Sequence, residues 1–190
     1  NNLIIALVLT MASSLILGMG LPTAAAYILV ATLTAPALVT MGVDLMAAHM
    51  FVFYSAMLSS ITPPVALAAF AAAAISREPP MRVAMISVKY GFVAFLLPYF
   101  FVLEPRLLLM GTLGEAIGVF LMAAIGIVTL ACVLQGYAMG SLSWLTRSVL
   151  AVASLCLLMP EISLKIIGIA IILAILIAWK IGQTLKKDSA

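Results

Sequence analysis

Two short segments of this sequence combine helix-breaking residues with hydroxyl groups, a combination suited to ion binding. The first is Gly18-Met19-Gly20-Leu21-Pro22-Thr23, and the second is Ser59-Ser60-Ile61-Thr62-Pro63-Pro64-Val65. Glycine permits backbone shapes that a helix forbids, and proline removes a backbone donor. Carbonyl oxygens released from a helix can ligate a hard cation. The N–H groups that begin the next helix, near residues 23–26, can face an anion.

The second segment adds three hydroxyls to two consecutive prolines. The prolines leave carbonyls one turn earlier without N–H partners. The hydroxyls of Ser59, Ser60 and Thr62 can replace the missing hydrogen bonds or coordinate an ion. Pro63 and Pro64 suit the first turn of a new half-helix, where proline costs nothing. We therefore predict a broken helix here.

A kinked membrane helix is the alternative explanation for either break alone. Two breaks in succession, each with hydroxyls, favour a transport site instead. His49 is the only histidine, and a packing role near a span end is favoured for it, with a proton role left open. The sequence offers no nucleophile–base set, metal-ligand cluster or phosphate loop, so we predict that the chain is not an enzyme.

The composition indicates that membrane helices position these segments. Of 190 residues, 66% are hydrophobic and 8% charged, and the mean hydropathy is +1.34, far from an ordinary soluble domain. The net charge of +3 is too sparse for a nucleic-acid partner. Because lipid requires every backbone group to be paired, the fold class predicted is an all-α integral membrane protein in contact with lipid.

Long stretches without charge define the predicted elements. A re-entrant helical hairpin is predicted over residues 3–39, with arms at 3–17 and 23–39. A discontinuous helix follows over 45–75, and a full span over 81–103. The remaining spans are predicted at 116–138, 142–159 and 162–179, because each approaches the length that a membrane helix needs.

Basic residues predict the sidedness of this multi-pass chain. They cluster at three connections or ends that one topology places together in the cytoplasm: Arg77 and Arg82, then Arg147, then Lys180, Lys186 and Lys187. By the positive-inside rule the C-terminus is cytoplasmic, with Trp144 and Trp179 as interfacial anchors. The chain begins Asn-Asn without a signal-peptide pattern, and we expect it to be a piece of a longer protein.

Small residues in the later spans predict helix packing. The pairs Gly114/Gly118 and Gly136/Gly140 have the spacing of close helix contacts. Cys132 and Cys156 both fall within spans and are expected to be small buried apolar residues.

The two breaks and the segment between them resemble the large membrane subunit of TRAP transporters. The resemblance lies in residues 18–27, 48–54 and 58–68 and is greatest to the TAXI branch, whose permeases often fuse the small and large membrane subunits. It covers roughly residues 1 to 110. From Gly114 onward the chain resembles a C-terminal extension of many fused TAXI permeases.

This resemblance implies a sodium-coupled secondary importer of organic acids in the bacterial inner membrane. Its partners would be a periplasmic substrate-binding protein, the remaining N-terminal part of the permease and the small membrane subunit. In the family, two inverted repeats each carry a hairpin and a discontinuous helix and move as an elevator. Residues 1–110 would hold the second repeat, and residues 111–190 an extension of about three transmembrane helices.

The resemblance also implies site residues. The carbonyls of Gly18 and Gly20 and the hydroxyl of Thr62 would hold sodium, the coupling ion, with no other cofactor. Four residues would border the substrate cavity: Thr23, Ser60, Pro63 and Pro64. The related dicarboxylate branch has an aspartate after its glycine motif, whereas Leu21-Pro22 stands here, so no charged residue is expected at the tip.

Two other functions compete with transport. A non-transporting assembly or scaffold subunit would use the small-residue faces after Gly114 for docking. A proton- or cation-conducting subunit would need buried Lys, Glu or Asp in mid-span, and the nearly charge-free spans argue against it.

Overall fold

The computed structural model describes residues 2–138 and 140–188, with side chains as far as Lys180. The chain divides into two compact units, Asn1–Met110 and Gly111–Ala190. The described residues form eight α-helices and two short 3-10 turns and contain no strand, apart from an isolated bridge between Tyr137 and Ser141. The predicted all-helical fold class is confirmed.

The first unit contains five α-helices. A helical pair comes first, α1 (Leu3–Gly18) and α2 (Thr23–Thr40). It is followed by α3 (Leu45–Leu58), a 3-10 turn (Ser59–Ile61) and α4 (Leu67–Ser76). The unit closes with α5 (Pro80–Leu103) and a second 3-10 turn (Pro105–Leu108). These bounds agree with the predicted arms, break and span to within a few residues at most element ends.

The second unit contains three α-helices: α6 (Leu113–Gln135), α7 (Trp144–Leu158) and α8 (Ile162–Asp188). Within the described residues, four stretches are long and apolar enough to cross a membrane: α2, α5, α6 and Ile162–Lys180 of α8. The other helices have 16 residues or fewer, against about 20 for a simple span.

Small side chains let the first three helices pack closely. Leu7 and Met11 of α1 are buried with residues of α2, α3 and the connection between them that are mostly alanine or valine, namely Val30, Ala31, Ala35, Leu38, Val43, Ala47, Ala48, Phe51 and Val52. A second, smaller cluster joins α4 to α5 through Ala66, Ala69 and Ala84. Alanine adds little bulk between helix axes, and the backbones approach as they do in membrane helix pairs.

A buried ion pair lies where α5 ends. The Glu104 side chain is only 3% exposed. Both of its oxygens accept hydrogen bonds from Arg106, with Nη2 2.9 Å from Oε2. A charge can be buried only when it is paired, and the planar guanidinium matches the carboxylate. The pair therefore permits an acidic residue between an apolar helix and the 3-10 turn that follows it.

The glycines that pack helices in the second unit are not the ones that spacing indicated. A Cβ atom at Gly126 would lie 3.3 Å from the Ser154 carbonyl oxygen, and one at Gly168 would lie 2.7 Å from the Ala153 carbonyl oxygen. At Gly114 and Gly118 a Cβ would meet nothing within 4 Å in the described structure. Neither glycine packs against another helix within the described residues, and close helix packing at this pair stays a prediction.

Two further expectations about the second unit change in detail. Gly136 has a φ of +71° and ends α6 in a left-handed conformation, a backbone role that glycine fills best. Cys132 and Cys156 carry free thiols and lie in α6 and α7 as predicted, but each is half-buried instead of fully buried.

Asp44 begins α3 by capping it. Its Oδ1 accepts hydrogen bonds from the backbone N–H groups of Met46 at 2.7 Å and Ala47 at 3.3 Å. These N–H groups have no partner within the helix. The carboxylate also lies at the positive end of the helix dipole. Asp44 thus has a defined structural role at the start of the helix that leads to the second break.

We predict that Asp44→Ala lowers the free energy of unfolding by about 1 kcal/mol, because two helix N–H groups lose their acceptor. Denaturation of the protein in mild detergent, followed by circular dichroism, measures the change. Asp44→Asn keeps a side-chain oxygen and serves as the control, with a loss of only a few tenths of a kcal/mol. Equal stability of the wild type and Asp44→Ala would contradict the capping role.

Candidate functional site

The turn between α1 and α2 holds the first break. Gly20 has a φ of +77°, a left-handed conformation that glycine adopts without strain. The Leu21 N–H donates to the Gly18 carbonyl at 3.3 Å, and the Ala26 N–H donates to the Pro22 carbonyl at 3.0 Å. Neither bond uses the Gly20 carbonyl. The turn therefore leaves carbonyl lone pairs near its tip, as the glycine pattern indicated.

The second break replaces helical hydrogen bonds with hydroxyl bonds. The Oγ atoms of Ser59 and Ser60 donate to the carbonyls of Ala56 and Met57, at 2.6 and 2.8 Å. The Thr62 Oγ1 donates to the Leu58 carbonyl at 2.7 Å. Each hydroxyl gives its single proton to the backbone, so the oxygen keeps lone pairs directed elsewhere. Such an oxygen can coordinate a cation or accept a hydrogen bond.

The two prolines do not begin the next helix. They lie between the 3-10 turn and α4, joined by a cis peptide bond. Ala66 then adopts a left-handed conformation with φ of +30°, and α4 starts at Leu67. The prediction that Pro63 and Pro64 form the first helical turn is wrong in this detail. The backbone is extended at Thr62, the usual conformation of a residue that precedes proline.

The fold brings the two breaks together. A Cβ atom at Gly18 would lie 2.6 Å from the Ser59 Oγ and 3.3 Å from the Ala56 carbonyl oxygen. A Cβ atom at Gly20 would lie 3.6 Å from a Val65 methyl. The end of α1 therefore contacts the end of α3, and the tip of the turn reaches the segment before α4. Two breaks separated by some forty residues in sequence become one region.

The predicted site residues lie in this region with different exposures. Among the predicted sodium ligands, Gly18 is buried, Thr62 is half-buried and Gly20 is exposed. The predicted substrate residues are all accessible: Thr23 and Pro64 are exposed, and Ser60 and Pro63 are half-buried. Thr23 is the first residue of α2, where N–H groups without helical partners begin.

Buried serines at this contact were not identified as an interface from the sequence. Ser14, Ser55 and Ser59 are all nearly or fully buried, and the first two donate to carbonyls of their own helices. Ser14 and Gly18 are four residues apart on α1, as are Ser55 and Ser59 on α3. Small residues four positions apart lie on one face of a helix. This spacing is typical of helices that pack closely, and it could have indicated the contact from the sequence.

A polar pair connects α2 to α3 beyond the breaks. The Tyr27 hydroxyl lies 3.0 Å from His49 Nδ1, and the Tyr27 ring makes an edge contact with Phe53 at 5.5 Å. This bond satisfies two polar groups in an apolar region, which would otherwise be costly. The structure thus supports the packing role expected for His49, and Tyr27 is its partner that the sequence did not indicate.

The ion ligands predicted in this region are neutral oxygens of backbone carbonyls and a threonine hydroxyl. In the described residues no group of three or more His, Cys, Asp or Glu side chains is placed to hold a metal. Carbonyls and hydroxyls are hard ligands without charge, which favour a weakly bound hard cation over a transition metal.

Residues 1–116 match the family model described as "Tripartite ATP-independent periplasmic transporter, DctM component". The chain belongs to the DctM family. The matched segment contains both breaks and all of the predicted site residues. No significant match was found among curated proteins or among solved structures.

Membership of the DctM family confirms the predicted resemblance to the large membrane subunit of a TRAP transporter. DctM proteins are permease components of transporters that work with a substrate-binding protein and other membrane subunits. The apolar helices and the family together make the chain a multi-pass membrane protein. The assignment to the TAXI branch stays a prediction.

We predict that Gly18→Ala destabilises the first unit by about 1–3 kcal/mol, because the new methyl would overlap Ser59 Oγ. Combining it with Ser59→Gly removes the obstructing atoms and should restore part of that loss. A double-mutant cycle on unfolding in detergent measures the coupling between the two positions.

Gly118→Ala is the matched control, since a Cβ at Gly118 meets nothing within 4 Å. It should be neutral or stabilising by roughly 0.5–1 kcal/mol, because alanine is the better helix residue. If Gly18→Ala behaved like Gly118→Ala, the close contact between the two breaks would be disproved.

Proposed function

We propose that this chain is part of a sodium-coupled permease that imports organic acids with the help of a periplasmic binding protein. The observation that carries the proposal is the contact between the turn at Gly18–Gly20 and the broken helix at Ser59 in a chain of the DctM family. Broken membrane segments that meet are the usual place for substrate and coupling-ion sites.

Sodium is proposed to bind between the two breaks, to the carbonyls of Gly18 and Gly20 and the hydroxyl of Thr62. The Thr62 oxygen gives its proton to the Leu58 carbonyl and so turns a lone pair outward. The Gly18 carbonyl already accepts one bond from Leu21, and a carbonyl has a second lone pair. Neutral ligands bind the ion weakly enough for release on the other side of the membrane.

The substrate is proposed to lie against Thr23, Ser60, Pro63 and Pro64. All four are exposed or half-buried, as residues that line a cavity must be. The start of α2 offers N–H groups and the positive end of a helix dipole beside Thr23. An organic acid carries the carboxylate that these groups stabilise. The apolar surroundings strengthen this interaction by excluding water.

The remaining parts of the proposal follow from the family. The α1–α2 pair would be a re-entrant hairpin, and residues 1–110 would form the second inverted repeat of an elevator. The N-terminal part of the permease and the small membrane subunit would complete the transporter in the inner membrane. The C-terminus would be cytoplasmic, with residues 111–190 as an extension.

We predict that Thr62→Ala in the complete permease raises the sodium concentration for half-maximal uptake by about tenfold or more. A bond to a charged partner contributes roughly 1.5–3 kcal/mol, which corresponds to that factor. Uptake of radiolabelled organic acids into proteoliposomes, with the cognate binding protein added, measures the effect.

Thr129→Ala is the matched control, because Thr129 makes the same bond to a carbonyl four residues earlier but belongs to α6 of the second unit and not to either break. It should leave the sodium dependence unchanged. Uptake by Thr62→Ala with wild-type sodium dependence would refute the ion site. Wild-type uptake that follows a pH gradient and ignores sodium would refute sodium coupling while retaining the permease.

A further inference from the structure

One end of the second unit carries an arginine together with several aromatic residues. That end contains the connection between α6 and α7, and Trp179 of α8 reaches it, 3.8 Å from a Cβ built on Gly140. Arg147 is the only charged residue between Glu115 and Glu161, and Lys180 follows Trp179. Both glutamates belong to the opposite end, at the start of α6 and just before α8, with a single cation, Lys165, in the first turn of α8. The two ends of the unit therefore differ in charge.

Arg147 is held in a fixed position at the basic end. Its Nε donates to the Val133 carbonyl at 2.9 Å, and its Nη2 donates to the Leu134 carbonyl at 3.4 Å. The guanidinium also lies 5.8 Å from the centre of the Trp144 ring. A cation at the carbonyl end of a helix is favoured by the helix dipole. The side chain is thus oriented in advance and loses little freedom when it binds a partner.

Nη1 is the guanidinium nitrogen that these two bonds leave unused. It lies beside Gly136, where a Cβ atom would come within 3.2 Å of it. Because glycine has no side chain, the guanidinium can lie this close to the backbone, and the Arg147 side chain is half-buried. Guanidinium groups pair with phosphate in a geometry that few other groups match.

Exposed apolar side chains surround this position. Trp144 is 80% exposed, Leu145 77% and Tyr137 62%. Tryptophan and tyrosine favour the boundary between lipid tails and headgroups. A fixed cation beside such residues suits a partner with a phosphate next to an apolar chain, which is the chemistry of a phospholipid.

We propose that this end of the second unit binds the phosphate of an anionic phospholipid at Arg147 and Gly136, with the lipid chains against Trp144 and Leu145. Anionic lipids suit it better than zwitterionic ones, because no acidic side chain follows Glu115 in sequence until Glu161 and lipid surface charge attracts basic residues. The extension would then fix the permease in the membrane surface. This inference does not depend on the proposed transport function.

Fluorescence quenching tests the proposal on the 190-residue chain in zwitterionic bilayers. Trp144 and Trp179 are its only tryptophans, and Trp179→Phe leaves Trp144 as the reporter. Bilayers contain a small fraction of either phosphatidylglycerol or phosphatidylcholine with identical brominated chains. We expect Trp144 to favour the anionic lipid by roughly fivefold and to lose that preference at high salt. Equal quenching by both lipids would overturn the proposal.

Charge variants test whether Arg147 binds the lipid phosphate. Arg147→Gln should abolish the preference for phosphatidylglycerol over phosphatidylcholine, and Arg147→Lys should retain part of that preference. Arg82→Gln removes the same charge from an exposed residue of α5 and should leave the preference intact. Circular dichroism checks that each variant keeps its helices. If Arg147→Gln folded and still preferred phosphatidylglycerol as the wild type does, Arg147 would not be the phosphate ligand.

Discussion

Every backbone polar group that is removed from water needs a partner, and this requirement governs the structure around the two breaks. A helix meets it internally, but the segments at Gly18–Pro22 and Ser59–Val65 interrupt their helices. Hydroxyls supply the replacement bonds at the second break, where the side chains of Ser59, Ser60 and Thr62 donate to carbonyls of the preceding turn. The break persists because its own side chains stabilise it and because protein covers part of it.

The close contact between the breaks depends on the absence of one side chain. Gly18 presents bare backbone to Ser59, and the alanine-rich faces of α2 and α3 allow the helices to approach along their length. Dispersion forces fall off within an ångström or so of contact. A larger residue at Gly18 would therefore separate the two segments. Small residues at this contact thus serve the geometry of the site as well as packing.

Much of this arrangement could be predicted from the sequence, because the determinants are local. Charge-free stretches located the helices, and Gly18, Gly20 and Pro63-Pro64 located the breaks.

The packing glycines could not be found this way: Gly114 and Gly118 have the expected spacing but lie on an open face of the described structure, whereas Gly126 and Gly168 make the close contacts. Spacing gives the face of a helix, and only the fold decides which face meets a neighbour. The Tyr27–His49 bond was missed for the same reason, since its partners lie on different helices.

The two units stabilise charged side chains in an apolar chain in different ways. Glu104 is deeply buried and its charge is balanced by Arg106. Arg147 lies at a helix end, where carbonyls and an aromatic ring stabilise it without an opposite charge. A paired charge has little electrostatic field left for a third partner, whereas a cation held only by dipoles keeps most of its own. Of these two arginines, Arg147 is therefore the one whose field is available to an anionic partner such as the proposed lipid phosphate.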